Sequence, residues 1–160
     1  RKILEVAQPE IVYLHNPADK HDTHVAATLR AIAALRLLPE AKRPKKVYGC
    51  EIWRSLDWLC DSDKQVLPVD SHPNMAAALS GIFDSQIVGG KRYDAAVMGR
   101  RMANATFFES HAADTCDALS WGMDLTPLVT GDADDVVAYT MTFIDRFRDD
   151  VVARIEKQAG

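Results

Sequence analysis

Cysteine is scarce in this chain, and what there is does not pair. Cys50, Cys60 and Cys116 are an odd number, scattered, and without metal-ligand spacing. They exclude a disulfide framework and a zinc knuckle, and read as buried, reduced thiols. Long apolar runs are missing too: none approaches the roughly 20 residues that a bilayer-spanning helix needs. A surplus of positive charge is also lacking. Against 23 Asp and Glu stand 19 Lys and Arg, for a net charge of −4, which excludes a reader of nucleic-acid phosphates. No internal repeat, linker or low-complexity tract interrupts the chain. No charged-then-apolar leader stands out, so the expected location is cytoplasmic.

What is present is an alternation of short β-rich runs with longer helical patterns. The 160 residues suffice for one domain with a proper core and are too few to expect two. Residues 1–7 read as the tail of an amphipathic helix stopped before Pro9. Glu10–His15, Val47–Trp53 and Val66–Val69 read as strands. Helices are expected over Val25–Leu38 with Asp22 or Thr23 as N-cap, from about Ser71 or Pro73 to Gly89-Gly90, and over Tyr93–Phe108. A looser segment runs through Pro127. A long closing helix is expected over 132–158, docking through Val137, Met141, Ile144, Val151 and Ile155. The expectation is an α/β, Rossmann-like layered domain with a mainly parallel sheet, spanning residues 1–160. Three or four strands are few for such a sheet, and the chain starts at Arg1 on an apparent helix end. An N-terminal βα portion is therefore expected to be missing, the chain being part of a longer polypeptide.

The chemistry concentrates in one turn. Tyr13-Leu14-His15 leaves the first strand, Asn16-Pro17-Ala18-Asp19 is turn chemistry, and His21, Asp22 and His24 open the first long helix. Histidines at i and i+3 share a helical face and can address one metal or one substrate. Alone, His-x-x-His is as consistent with solvated or capping histidines. With Asp19 and Asp22 crowded beside them, the set suits a hydrolytic zinc site with an open position for water. Elsewhere, Lys91, Arg92, Arg100 and Arg101 offer anion binding or, equally, helix-surface pairing with Asp94. Trp53 and Trp58 offer a sugar platform or ordinary packing. Glu109-Ser110-His111 is adjacency without triad geometry.

Tyr13-x-His15-x-Pro17-x-Asp19-x-His21-x-x-His24-x-Ala26 resembles the second signature of the PIG-L/LmbE-like de-N-acetylases, zinc enzymes that deacetylate N-acetylglucosamine units. Asp84-Ser85-Gln86, Gly89–Tyr93 and Arg100-Arg101-x-x-Asn104 also resemble that family, and the likeness spans about residues 9–128. The stretch around His15 and the run Met123–Leu128 are most similar to a branch fused to glucosamine-6-phosphate deaminase-like domains. The resemblance implies His24 as a ligand of Zn2+ or another divalent metal. It implies His21 as the acid that polarises the carbonyl or protonates the leaving amine. With Thr23 where the family has aspartate, orientation of His21 falls to Asp22 or Asp19. Asp19, Lys91, Arg92 and Arg100 are the expected substrate contacts. The family's first signature, His-Pro-Asp-Asp-Glu, is absent: His72-Pro73 lies after the second signature and continues with Asn74-Met75. Two expected metal ligands and the general base are therefore not supplied by the resemblance. The implied function is removal of the N-acetyl group from an amino sugar or its conjugate. The alternative is a non-catalytic domain of a deaminase-like protein that binds a sugar phosphate or makes an oligomer contact.

Overall fold

A computed structural model of the chain describes residues 2–160. The elements in order are α1 (Lys2–Ala7), β1 (Ile11–His15), α2 (Asp22–Arg36), β2 (Lys46–Cys50), β3 (Lys64–Pro68), α3 (Pro73–Gly81), α4 (Asp84–Val88), α5 (Tyr93–Phe108), β4 (Leu119–Asp124), α6 (Pro127–Thr130) and α7 (Val136–Ala159). The helix expected over residues 1–7 is seen from Lys2, Arg1 lying outside the described residues. The strands form a four-stranded sheet in the order β1-β2-β4-β3. Mixed α/β character is thus observed, but the sheet is not mainly parallel. β1 and β2 run parallel in the register Ile11↔Lys46 to His15↔Cys50, whereas β2 and β4 pair antiparallel. The antiparallel partner is β4, placed where a looser segment was expected. Leu119, Trp121 and Met123 are buried and alternate with Ser120, Gly122 and Asp124, but the run is short and Gly122 at its middle weakens the strand signal.

The chain divides into two compact units, one running up to Gln65 and including Gly122–Gly160, the other Val66–Trp121. The first holds the larger core. Ile32 and Leu35 of α2, Val47 of β2, Leu56 and Leu59 of the following loop, and Met123, Leu125, Leu128 and Val129 are all essentially inaccessible. Gly49 lets this core close. A Cβ there would stand 2.8 Å from Leu125 Cδ1 and 3.1 Å from the Asn16 Cα, closer than carbon atoms pack. Arg36 and Arg43 stitch α2 to the turn after α6. Arg36 donates to the carbonyls of Leu128, Ala133 and Asp134, and Arg43 to those of Leu38, Val129 and Arg36. In the second unit, α3 and α4 pack on α5, and Trp121 meets Phe108 with ring centroids 4.8 Å apart. The single helix expected up to Gly89-Gly90 is broken into α3 and α4 by Ile82-Phe83.

Two helix ends depart from expectation. The N-cap of α2 is His21, in extended conformation, with Asp22 and Thr23 already inside the first turn. The closing helix starts at Val136 on an Asp135 cap, whose carboxylate accepts from the amides of Val137 and Ala138. Its docking side is also different. Thr140 and Phe143 are the buried residues, while Val137, Met141, Val151 and Ile155 are exposed.

Candidate metal centre

β1 ends at His15 with its C-terminal end beside that of the parallel strand β2, the place where open α/β sheets gather ligands. The chain then turns sharply. Asn16 Oδ1 accepts from the Ala18 amide at 2.8 Å, and Asp19 Oδ1 accepts from the His21 amide at 2.9 Å. These two side-chain-to-backbone bonds replace the missing side-chain cap of α2 and fix where the helix begins. Thr28, one turn into α2, donates from its hydroxyl to the His15 carbonyl at 2.8 Å, pinning the helix to the strand end. Arg54 donates to the Ala18 carbonyl at 2.9 Å, tying the loop after β2 to the same turn.

That scaffold brings three donors together. His15, Asp19 and His24 each offer a ligand atom, and these atoms lie within 4.8 Å of one another. The imidazoles of His15 and His24 stack with centroids 3.8 Å apart and planes 4° from parallel. The Asp19 side chain, 1% exposed, serves both: Oδ1 lies 3.0 Å from His24 Nδ1, and Oδ2 lies 4.0 Å from His15 Nδ1. Burial, reinforced by the charge of His24, holds His15 below the ordinary imidazole range, against the opposing pull of Asp19. A neutral imidazole is the ligand form. Donors on one zinc stand about 3.3 Å apart, given bonds near 2.0–2.1 Å and tetrahedral angles. The cluster is a small side-chain adjustment from such a set. Two nitrogens and a carboxylate oxygen are donor types that suit a divalent ion.

His21 sits next to this group. Its ring meets His24 edge-on at 5.1 Å and Trp53 edge-on at 4.7 Å, and Lys20 Nζ stands 5.2 Å from the centre of the Trp53 ring. Asp22 is exposed in the first turn of α2. Behind the cluster lie polar atoms with nothing to bind. Asn16 Nδ2, both Glu51 carboxylate oxygens and Trp58 Nε1 are buried without hydrogen-bond partners. Burial, and then the charge of Asp19, raise the Glu51 pKa. Trp58, Arg54 and the Lys20 amide oppose that shift from outside hydrogen-bonding geometry. The loop that carries Glu51 is held by an unusual backbone, with Ser55 and Leu56 both at positive φ (51° and 56°) and both buried. Cys50 is pushed up to about 11 by burial, which keeps it a thiol.

Of the residues singled out in the sequence, Asp19, His21, Asp22 and His24 fall in this one turn. Lys91, Arg92 and Arg100 belong to the other compact unit. There Arg92 forks onto Asp94, with Nε and Nη2 each 3.0 Å from a carboxylate oxygen. Lys91 is exposed, and Arg100 lies within α5. Sequence reasoning did not single out His15 or Glu51 as site residues. The available signal was position: each stands at the end of one of two adjacent parallel strands. No protein-family model, curated protein or solved structure matches the chain.

Proposed function

We propose that the chain is a metal-dependent amide hydrolase that removes the N-acetyl group from an N-acetylglucosamine-type amino sugar or its conjugate. The grouping of His15, Asp19 and His24 around one point carries this reading. The likeness of the same stretch to the de-N-acetylases supports it. In this reading β1, α2 and β2 are a piece of a Rossmann-like layered fold, supported by the parallel β1–β2 pair joined through α2. A cytoplasmic location is supported by three free cysteines.

His24, His15 and Asp19 would hold Zn2+ or another divalent ion. When bound, such an ion supplies Lewis acidity, lowering the pKa of water and polarising the acetyl carbonyl. The chain's own side chains do the rest. Asp19 accepts from the His21 amide and so fixes the start of α2, from which the His21 ring projects. Water adds to the acetyl carbon and gives up a proton, and His21, at the mouth of α2, gives its own proton to the amine nitrogen as the C–N bond breaks; acetate and a free amine leave, and the proton released by the water restores His21. The half-exposed Trp53 flanks His21 and offers an apolar face to a sugar ring.

Acetate release from N-acetylglucosamine derivatives, measured with the full chain and added zinc, tests the proposal. Release that is abolished in His24→Ala supports it, and unchanged release in that variant overturns it. A sugar phosphate that raises the melting temperature without turnover would favour the binding-domain alternative.

A further inference from the structure

Helix α7 carries an apolar stripe that the rest of the chain leaves open. Val137, Met141, Ile144, Val151 and Ile155 recur at coiled-coil spacing, with Arg148 at the intervening seam position. Val137 and Ile155 are 71% and 62% exposed. Every residue from Val151 to Gly160 is exposed. A stretch of helix this short has little stability in water without tertiary support.

We propose that this stripe is the contact between two copies of the chain, packed α7 against α7 in antiparallel fashion with the two-fold axis at Arg146. The pattern is palindromic about that position. Val137 then faces the partner's Ile155, Met141 faces the partner's Val151, and Ile144 faces the partner's Arg148, with every contact made twice. A parallel pairing would instead set Arg148 against Arg148 in the seam. Charge points the same way. Asp135 caps the start of α7, with Asp132 and Asp134 in the loop before it, and Arg154 and Lys157 outnumber Glu156 near its end. The antiparallel arrangement lays the acidic end along the basic one and opposes the helix dipoles. Asp135 falls level with the partner's Lys157. Arg148, which touches Asp145 and Asp149 of its own helix, comes within one residue's rise of the partner's Asp145.

Sedimentation equilibrium of the full chain over a range of concentrations tests this. A reversible dimer is expected, and the double variant Val151→Glu/Ile155→Glu should weaken it by at least about tenfold, while the rest of the fold still melts cooperatively. Orientation is read by cross-linking. Val137→Cys mixed with Ile155→Cys should form an oxidised dimer that neither variant forms alone. A chain that stays monomeric, as one whose stripe is covered by a different polypeptide would, overturns the proposal. So does a dimer insensitive to the glutamates, or efficient self-cross-linking of Val137→Cys alone.

Discussion

His15 and His24 lie ring on ring, 3.8 Å apart and nearly parallel, with one buried carboxylate, Asp19, reaching towards both. At that distance the charge of His24 works against a proton on His15. Eight residues of chain lie between them, in a turn whose hydrogen bonds involve Asn16, Asp19 and Thr28. The arrangement is therefore a property of the backbone path as much as of the histidines.

The pH dependence follows from His15. Its pKa is lowered from 6.5 in the fold by burial and by His24. Below that value the unfolded chain binds the proton more readily than the folded one. Stability is therefore fully present above about pH 6.5 and declines as pH falls through the lower folded value. His15→Gln should flatten the acid limb of a melting-temperature profile measured without metal. An unchanged acid limb would show that the fold does not hold His15 below its ordinary range.

Glu51 works in the opposite sense. Its pKa is raised from 4.5, so stability is fully present below about pH 4.5 and is lost as pH rises through the higher folded value. An unpartnered buried carboxylate costs on the order of 1 kcal/mol or more. Glu51→Gln should then raise the melting temperature at pH 7 by about 2–4 °C and have little effect at pH 4. Thermal melts at the two pH values check this, and destabilisation at pH 7 would mean the carboxylate has a partner.

Gly49 joins the core to the site. Ala at this position must displace Leu125 or the Asn16 backbone, and the latter belongs to the turn that places Asp19. Gly49→Ala should cost about 1–3 kcal/mol and weaken metal binding as well, measured by denaturant unfolding and zinc titration. Normal metal affinity in a destabilised variant would separate the two effects and contradict the coupling.

Arg43 should matter more than a loop arginine usually does. It donates to carbonyls on both α2 and the α6 turn, and removing a charged donor from several such bonds costs about 1.5–3 kcal/mol. Chemical denaturation of Arg43→Ala should show that loss. Arg43→Lys should restore only part of it, because an ammonium cannot span the same fork.

Much of this architecture is legible in the sequence. β1, α2 and α5 follow from β-branched runs and helical periodicity, α5 from Tyr93 to Phe108 as read. Asp19, His21 and His24 stand out because polar residues crowd a strand-to-helix turn. What was not legible depends on partners far along the chain. β4 is a short run whose apolar alternation is weakened by Gly122, and its antiparallel pairing with β2, which no local pattern specifies, changes the expected sheet. The stripe on α7 has true helical period, yet period cannot say which side docks: Phe143 and Thr140 face inward, Val137 and Ile155 outward. His15 reads as a strand residue until the turn folds Asp19 and His24 back against it. Glu51 lies 27 residues beyond His24 in the chain, and it is the parallel register of β1 and β2 that brings their C-terminal ends side by side.

The most direct test is metal stoichiometry. The full chain, loaded with zinc and dialysed, should hold one ion per chain by inductively coupled plasma mass spectrometry. His15→Ala and His24→Ala should each lose it while keeping native circular dichroism. Zinc retained at one per chain in both variants, or absent from the unaltered chain, would contradict a metal centre at His15, Asp19 and His24.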